Sequence, residues 1–304
     1  MEHLFGPVPS RRLGFSLGID IIPAKTCTLN CVYCQLGPTP QITLERKPHV
    51  AAEVIISELS RFLEERRRID YLTLSGSGEP TLNSEIGRII RGVKEITSIP
   101  VAVITNGSLL YLSEVRKDLA EADVVLPSLD ASSEETFRLI NRPHPKLSAA
   151  LIIQGLKIFS REYTGKIWLE IMLVRGINDS PEELAKLREV IGTLHADKVQ
   201  LNTVVRPPAE PNVLPLSQEE MERAAKLIGH NCEIIADFAG QAPENFQADE
   251  GLIISTLKRR PLTLNDLTSI TGLNPNELTK ILERLVDEGK IREQDLYHRK
   301  YYAA

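Results

Sequence analysis

Lys25-Thr26-Cys27-Thr28-Leu29-Asn30-Cys31-Val32-Tyr33-Cys34-Gln35 holds three of the four cysteines of a 304-residue chain. Three residues separate the first pair and two the second, so all three thiols can face one metal centre from a single loop. A four-iron cluster normally takes four cysteines, one per iron. Three leave one iron with an open position, the arrangement that lets a metal site bind and act on a ligand. A structural zinc site needs a fourth ligand, which here falls to His3 or His49. A disulfide leaves one of the three over, and nothing else in the sequence points to secretion.

Outward from this loop the chain alternates between two periods. Residues 15–22 read as a strand that ends just before the cysteines. Further strands are predicted at 71–74, 101–104, 124–129, 167–174 and 198–204. Helical spacing covers 50–67, 84–96, 113–120, 133–140, 149–160, 181–193 and 218–228, the sixth opening on Ser180 as N-cap with Pro181 behind it. Six strand–helix units imply parallel pairing with helices outside, an α/β fold of the partial (β/α)6 TIM-like barrel type. In such barrels chemistry gathers at the C-terminal ends of strands. The unusual residues cluster there: Ser75-Gly76-Ser77-Gly78-Glu79-Pro80 after the second strand, Thr105-Asn106-Gly107 after the third, and Ser128-Leu129-Asp130 after the fourth. Glu170 and Met172 share a face of the fifth strand, which Arg175-Gly176-Ile177-Asn178-Asp179 follows. Gln200 and Asn202 place polar groups on a strand that should be buried, which suggests a lined cavity.

Cys27-x3-Cys31-x2-Cys34, with Tyr33 before the last cysteine, resembles the signature of radical S-adenosylmethionine (SAM) enzymes. The resemblance implies a [4Fe–4S] cluster on Cys27, Cys31 and Cys34 whose open iron chelates SAM. It implies reductive cleavage of SAM to a 5′-deoxyadenosyl radical, with the hard chemistry carried by the cofactors. Gly78-Glu79-Pro80 matches the end of the family's Gly-Gly-Glu-Pro motif, which contacts the amino group of SAM, although Ser77 stands between the glycines. By the same resemblance Tyr33, Thr105, Ser128, Asp130 and Asn202 are cofactor-binding positions, with Asn202 near the ribose or the substrate. A flavodoxin- or ferredoxin-like partner would supply the electron. The opening Gly6-Pro7-Val8-Pro9-Ser10-Arg11-Arg12-Leu13-Gly14 and the motif set are most similar to the branch grouped with wyosine-type tRNA-base synthases. The further N-terminal cysteines of those synthases are absent. No catalytic acid or base is singled out.

Composition sets the bounds. A hydrophobic content of 42% and a charged content of 25% belong to an ordinary globular protein. The net charge of −5 argues against an all-over basic coat for nucleic acid. The N-terminus lacks a basic start followed by an apolar run, and no apolar run reaches the roughly 20 residues of a membrane span. A cytoplasmic protein without a membrane partner is expected. Arg11 and Arg12 are a pair that can hold an anionic substrate group. Cys232 stands alone, as a small buried residue usually does.

The barrel is assigned to residues 1–240, and residues 240–250 read as a linker. Beyond it, helices at 251–259, 263–270 and 275–288 and a hairpin from 290–292 and 297–302 resemble a winged helix-turn-helix module, assigned with the linker to 241–304. From Asp249 onward nine Lys and Arg face nine Asp and Glu, so the module is neutral, and its third helix lacks the basic face of a groove reader. The module is expected to dock a macromolecular substrate such as tRNA, a peptide or a protein. An enzyme of the radical SAM type is thus expected. From another class, an iron–sulfur redox sensor binding nucleic acid through its wing is the alternative, and such a sensor needs no SAM contacts.

Overall fold

A computed structural model describes residues 2–64, 67–229, 232–236, 250–297 and 299–304. The expected linker falls at 240–250, almost wholly outside the described residues.

The chain opens with an antiparallel hairpin, β1 (Leu4–Ser10) and β2 (Gly14–Ile19). A small parallel pair, β3 (Thr26–Cys27) and β4 (Gln41–Ile42), frames the cysteine loop. Then come α1 (Ala52–Leu63), β5 (Tyr71–Leu74), α2 (Ile86–Ile96), β6 (Val101–Thr105), α3 (Ser113–Leu119) and β7 (Val124–Pro127). Two helices follow, α4 (Glu134–Asn141) and α5 (Ala149–Glu162), then β8 (Lys166–Leu173), α6 (Pro181–Ile191), β9 (Lys198–Thr203), α7 (Gln218–Ile228) and β10 (Cys232–Ile234). The main sheet runs β1-β2-β5-β6-β7-β8-β9-β10, parallel throughout except for the β1–β2 hairpin. The six expected strands are its centre, which is consistent with a partial barrel. The edges β1 and β10 lie outside the expected strands. Pro7 and Pro9 interrupt the pattern of β1, and prolines are tolerated only on an edge. β10 is three residues long.

Strand alternation divides the apolar residues between two places. Leu72, Leu74, Val101, Val103, Val125, Leu169, Ile171 and Leu201 face outward and pack with Ile55, Leu59, Ile89, Leu156 and Leu184 from the helices. Their inward neighbours Ala102, Val124, Leu126 and Trp168 close around Leu13 as a separate inner cluster. Higher on the same inner faces, Thr73, Glu170, Gln200 and Asn202 replace hydrocarbon with polar groups, all of them buried. The barrel is thus plugged at one end and polar at the other.

Ser180 and Ser217 cap α6 and α7 as serines should, accepting from the backbone N–H three residues on. Beyond the barrel stand α8 (Glu250–Leu257), β11 (Leu262–Thr263), α9 (Leu264–Thr271), α10 (Pro275–Asp287), β12 (Arg292–Leu296) and β13 (Arg299–Ala303). Their strands form a three-stranded antiparallel sheet ordered β11-β13-β12. Ile253, Leu257, Leu267, Ile270, Leu278, Leu282 and Leu285 share a second core that also takes in Val8 of β1. Tyr301 Oη donates to the carbonyl of Val205 at 2.8 Å, and Arg259 pairs with Asp20 at 2.9 Å. The C-terminal elements therefore sit against the strand ends of the barrel.

One buried amide ties those ends together. Asn178 is fully buried; its Oδ1 accepts from the Val174 N–H at 2.7 Å, and its Nδ2 donates to the carbonyls of Asp130 and Met172, both at 2.8 Å. Asn178→Ala would strand three backbone groups. Chemical denaturation of that variant should show a loss of about 2–4 kcal/mol.

Candidate active site

The cysteine loop leaves β2 and is held from three sides by backbone hydrogen bonds. Lys25 N donates to Ser77 O at 2.8 Å and Glu79 N to Thr26 O at 3.0 Å, which locks it to the glycine-rich turn after β5. Asn30 N to Asn141 O at 3.0 Å, Val32 N to Ile140 O at 2.9 Å and His144 N to Thr28 O at 3.0 Å lock it to the end of α4. Glu210 N to Val32 O at 3.0 Å adds the loop after β9. Gly78 makes the contact between Glu79 and Thr26 possible: a Cβ there would stand 1.9 Å from the Thr26 carbonyl.

Each thiol meets a nitrogen donor from a different place. Lys25 Nζ lies 3.3 Å from Cys34 Sγ, Asn106 Nδ2 3.5 Å from Cys27 Sγ, and Asn141 Nδ2 3.4 Å from Cys31 Sγ. Burial, and after it the Glu79 carboxylate, pushes the Cys27 thiol up to about 11. Burial followed by Asp130 moves Cys31 well above the ordinary thiol range. As free thiols Cys27 and Cys31 are held protonated; a metal centre would displace those protons.

Glu79 is buried at the hub of this arrangement. Its Oε1 accepts from Thr81 N at 3.0 Å, Thr81 Oγ1 at 2.6 Å and Thr105 Oγ1 at 2.6 Å, and its Oε2 from Asn106 N at 2.7 Å. Burial raises its pKa, while these four donors pull the other way. Only Oε2 retains acceptor capacity toward a ligand.

The structure brings Cys27, Cys31, Cys34, Tyr33, Gly78, Glu79, Thr105, Ser128 and Asn202 to the wall of one cavity of about 360 Å³. It does not bring Asp130 there. That carboxylate accepts from Tyr33 Oη, from Asn141 Nδ2 at 2.7 Å and from Met172 N at 2.9 Å, and so supports the wall from behind. Burial, then Asp130, raises the Tyr33 hydroxyl well above its ordinary range, keeping it a donor. Asn202 lines the cavity, yet its amide is engaged: Oδ1 accepts from Arg11 Nη1 at 2.8 Å and Nδ2 donates to Glu170 Oε1 at 2.9 Å. Glu170 also pairs with Arg12. Burial alone would raise Glu170; Arg12 and Asn202 outweigh it and hold the carboxyl below its usual range. Gln200 is buried beside Glu233, 3.4 Å from its carboxylate, and is not on the cavity wall. Cys232 is half-buried on the edge strand β10, far from a role with the other cysteines in the sheet order.

Lys25, Asn106 and Asn141 went unassigned in the sequence. Asn106 stood in a strand-end motif, so its position was legible and its partner was not. Asn141 closes a helix and carries no local signal.

No three His, Cys, Asp or Glu side chains among the described residues converge tightly enough for a single metal ion. A four-iron cluster asks for something else, since each thiolate binds a different iron. Three half-buried cysteines spread around one cavity, each facing a nitrogen donor, suit that larger group.

The radical SAM superfamily profile matches residues 21–188. The chain belongs to the radical SAM superfamily. It is 34% identical over 301 residues to the UPF0026 protein MJ1312 of Methanocaldococcus jannaschii, covering 96% of this chain and 92% of that one. It is also 41% identical over 297 residues to a longer Brachyspira hyodysenteriae protein named GTPase Obg, of which it spans 44%. A Gly-x4-Gly-Lys-Ser/Thr phosphate loop does not occur in the present sequence. A probable dual-specificity RNA methyltransferase RlmN of Thermotoga maritima is 25% identical over 210 residues, 65% of this chain and 56% of that one. Among solved structures, a radical SAM methyltransferase from Sphaerobacter thermophilus matches 72% of this chain and 65% of its own with a TM-score of 0.56 at 18% identity. TYW1 with a lysine–pyruvate adduct bound matches 74% and 75% with a TM-score of 0.50 at 21% identity. The chain is accordingly a radical SAM enzyme, a family whose cofactors are a [4Fe–4S] cluster and SAM. No helix among the described residues is long and apolar enough to cross a membrane.

Two substitutions check this geometry. Gly78→Ala must force the turn away from the Thr26 carbonyl, with a cost of about 1–3 kcal/mol and a fall in iron bound per chain after anaerobic reconstitution. Asn141→Leu removes a hydrogen bond to Cys31 sulfur; redox titration should show a more negative cluster potential than in the parent.

Proposed function

We propose that this enzyme reductively cleaves SAM at a cluster held by Cys27, Cys31 and Cys34 and uses the resulting radical to modify an RNA nucleotide. The observation that carries the first half is the shared cavity: the three thiols line the same wall as Gly78, Glu79, Thr105 and Ser128, each at a strand end. When bound, the cluster and SAM supply the radical chemistry itself. The chain's part is to bind, orient and seal. Tyr33, fixed by Asp130, walls the cluster loop. The turn at Gly78 and the remaining lone pair of Glu79 Oε2 suit an ammonium group, and Ser128 lies on the same cavity wall for a carboxylate. Asn202, held between Arg11 and Glu170, stands further along the same wall for a ribose or the substrate.

The RNA reading is supported by the RNA methyltransferase relative and by cationic side chains that line the cavity although the chain is acidic overall. Three helices followed by a hairpin is the arrangement of a winged helix-turn-helix, and we assign these C-terminal elements the task of presenting the macromolecule. A flavodoxin- or ferredoxin-like protein fits as electron donor, and a cytoplasmic setting suits an oxygen-sensitive centre. The relatives give a redox-sensing regulator no support.

Anaerobically reconstituted protein given SAM and dithionite should release 5′-deoxyadenosine and methionine. Cys31→Ala should abolish that release. Iron-loaded protein that leaves SAM intact would overturn the reading.

A further inference from the structure

The cavity holds more positive charge than its walls neutralise. Arg12 is paired with Glu170, Arg259 with Asp20, and Arg11 is anchored by Asn202 and by the carbonyls of Ile235 and Ala236, both at 3.1 Å. Arg206 and Arg260 line the same cavity, and each has a buried Nε with no hydrogen-bond partner among the described residues. A buried polar group without a partner is costly, and a buried guanidinium more so. Asp266 is the carboxylate that favours both charges. Its Oδ2 is occupied by Thr263 N at 3.0 Å and Thr263 Oγ1 at 2.9 Å as the cap of α9.

The two arginines come from different parts of the chain. Arg206 follows β9 at the barrel rim, and Arg260 lies between α8 and β11. The Tyr301 hydroxyl, bonded to the Val205 carbonyl, seats the C-terminal sheet one residue from Arg206. The cofactors do not cancel this charge. A four-iron cluster on three thiolates is mildly anionic, whereas SAM is cationic, so together they bring little net charge.

We infer that Arg206 and Arg260 form a composite site for an oxyanion of the substrate, a phosphate or a carboxylate, which is complete only when the C-terminal elements are seated on the barrel. Guanidinium forks match both oxyanions in bidentate geometry. Burial, and after it Arg206, lowers the proton affinity of Arg260 well below the arginine norm, and Arg11 is lowered to about 9 by burial and then by Arg206. An anion bound between them relieves that strain. This inference deepens the radical SAM reading and rests on it for the word substrate; the site itself does not depend on cluster or cofactor.

The test is a titration of the full chain, without cluster, with sodium phosphate and separately with sodium acetate against sodium chloride of equal ionic strength. Melting temperature should rise with phosphate or acetate beyond the chloride control, and the stronger of the two identifies the group. Arg206→Gln and Arg260→Gln should each weaken that response roughly tenfold, the loss of one charge-assisted contact, and Arg260→Lys should retain part of it. Circular dichroism identifies any variant that fails to fold, for which the lysine replacement serves instead. On reconstituted protein SAM affinity should change less than about twofold in the same variants. Phosphate and acetate that do no more than chloride would overturn the site. Loss of SAM affinity matching the loss of oxyanion response would assign the arginines to the SAM carboxylate and overturn the substrate role. Because the titration uses no SAM, its failure stays distinct from a failure to cleave SAM.

Discussion

The Glu79 carboxylate is the interaction on which the site depends. It is buried, it closes the glycine-rich turn that follows β5, and its four accepted hydrogen bonds come from Thr81, Thr105 and Asn106. Through Thr105 and Asn106 it fixes the end of β6. Asn106 then turns its amide onto Cys27 Sγ and, at 2.9 Å, onto Thr28 Oγ1. The Glu79 amide closes the circuit on the Thr26 carbonyl. Two strand ends and the cysteine loop are thereby set by one buried anion whose desolvation is offset only if every partner is present. An all-or-none network of this kind gives a metal loop a single geometry.

The rest of the barrel can be understood as support for that rim. Apolar side chains from β6, β7 and β8 fill the far end around Leu13, so the interior is a packed core below and a polar chamber above. The turn between β1 and β2 reaches across to β8 and β9 through Arg12–Glu170 and Arg11–Asn202. On the opposite side of the chamber's mouth Asp20 accepts from Ser77 Oγ at 2.5 Å and from Arg259 at 2.9 Å. A cation from the C-terminal elements thus rests on the carboxylate that shapes the glycine-rich turn. Gly76, with φ at +139° and no room for a Cβ beside Asp20, is the residue that permits this contact.

Much of this was legible in the sequence because it is local. Short apolar runs between helical stretches located β5, β6, β8 and β9 to within a residue or so, and Ser180-Pro181 marked the start of α6. The spacing of three cysteines and the strand-end placement of Gly78, Thr105 and Ser128 are local features of the sequence, and all six residues line the cavity. What stayed hidden is carried by long-range pairing. β1 is written in Pro and Gly and exists through its partner β2. Asn141 meets Cys31 across 110 residues, and Arg259 meets Asp20 across 239. Asp130 looked like a ligand contact because it ends the Ser-Leu-Asp stretch, but its oxygens meet Tyr33, Asn141 and Met172. Ser77, which breaks the glycine pair of the family motif, is explained by its hydroxyl on Asp20.

The central claim is that three thiols hold a cluster with one iron left open to SAM. Electron paramagnetic resonance of the anaerobically reconstituted, dithionite-reduced protein tests it most directly, recorded with and without SAM. The account predicts a reduced [4Fe–4S] signal whose g-values shift when SAM is added. A four-iron signal that SAM leaves unchanged would contradict it.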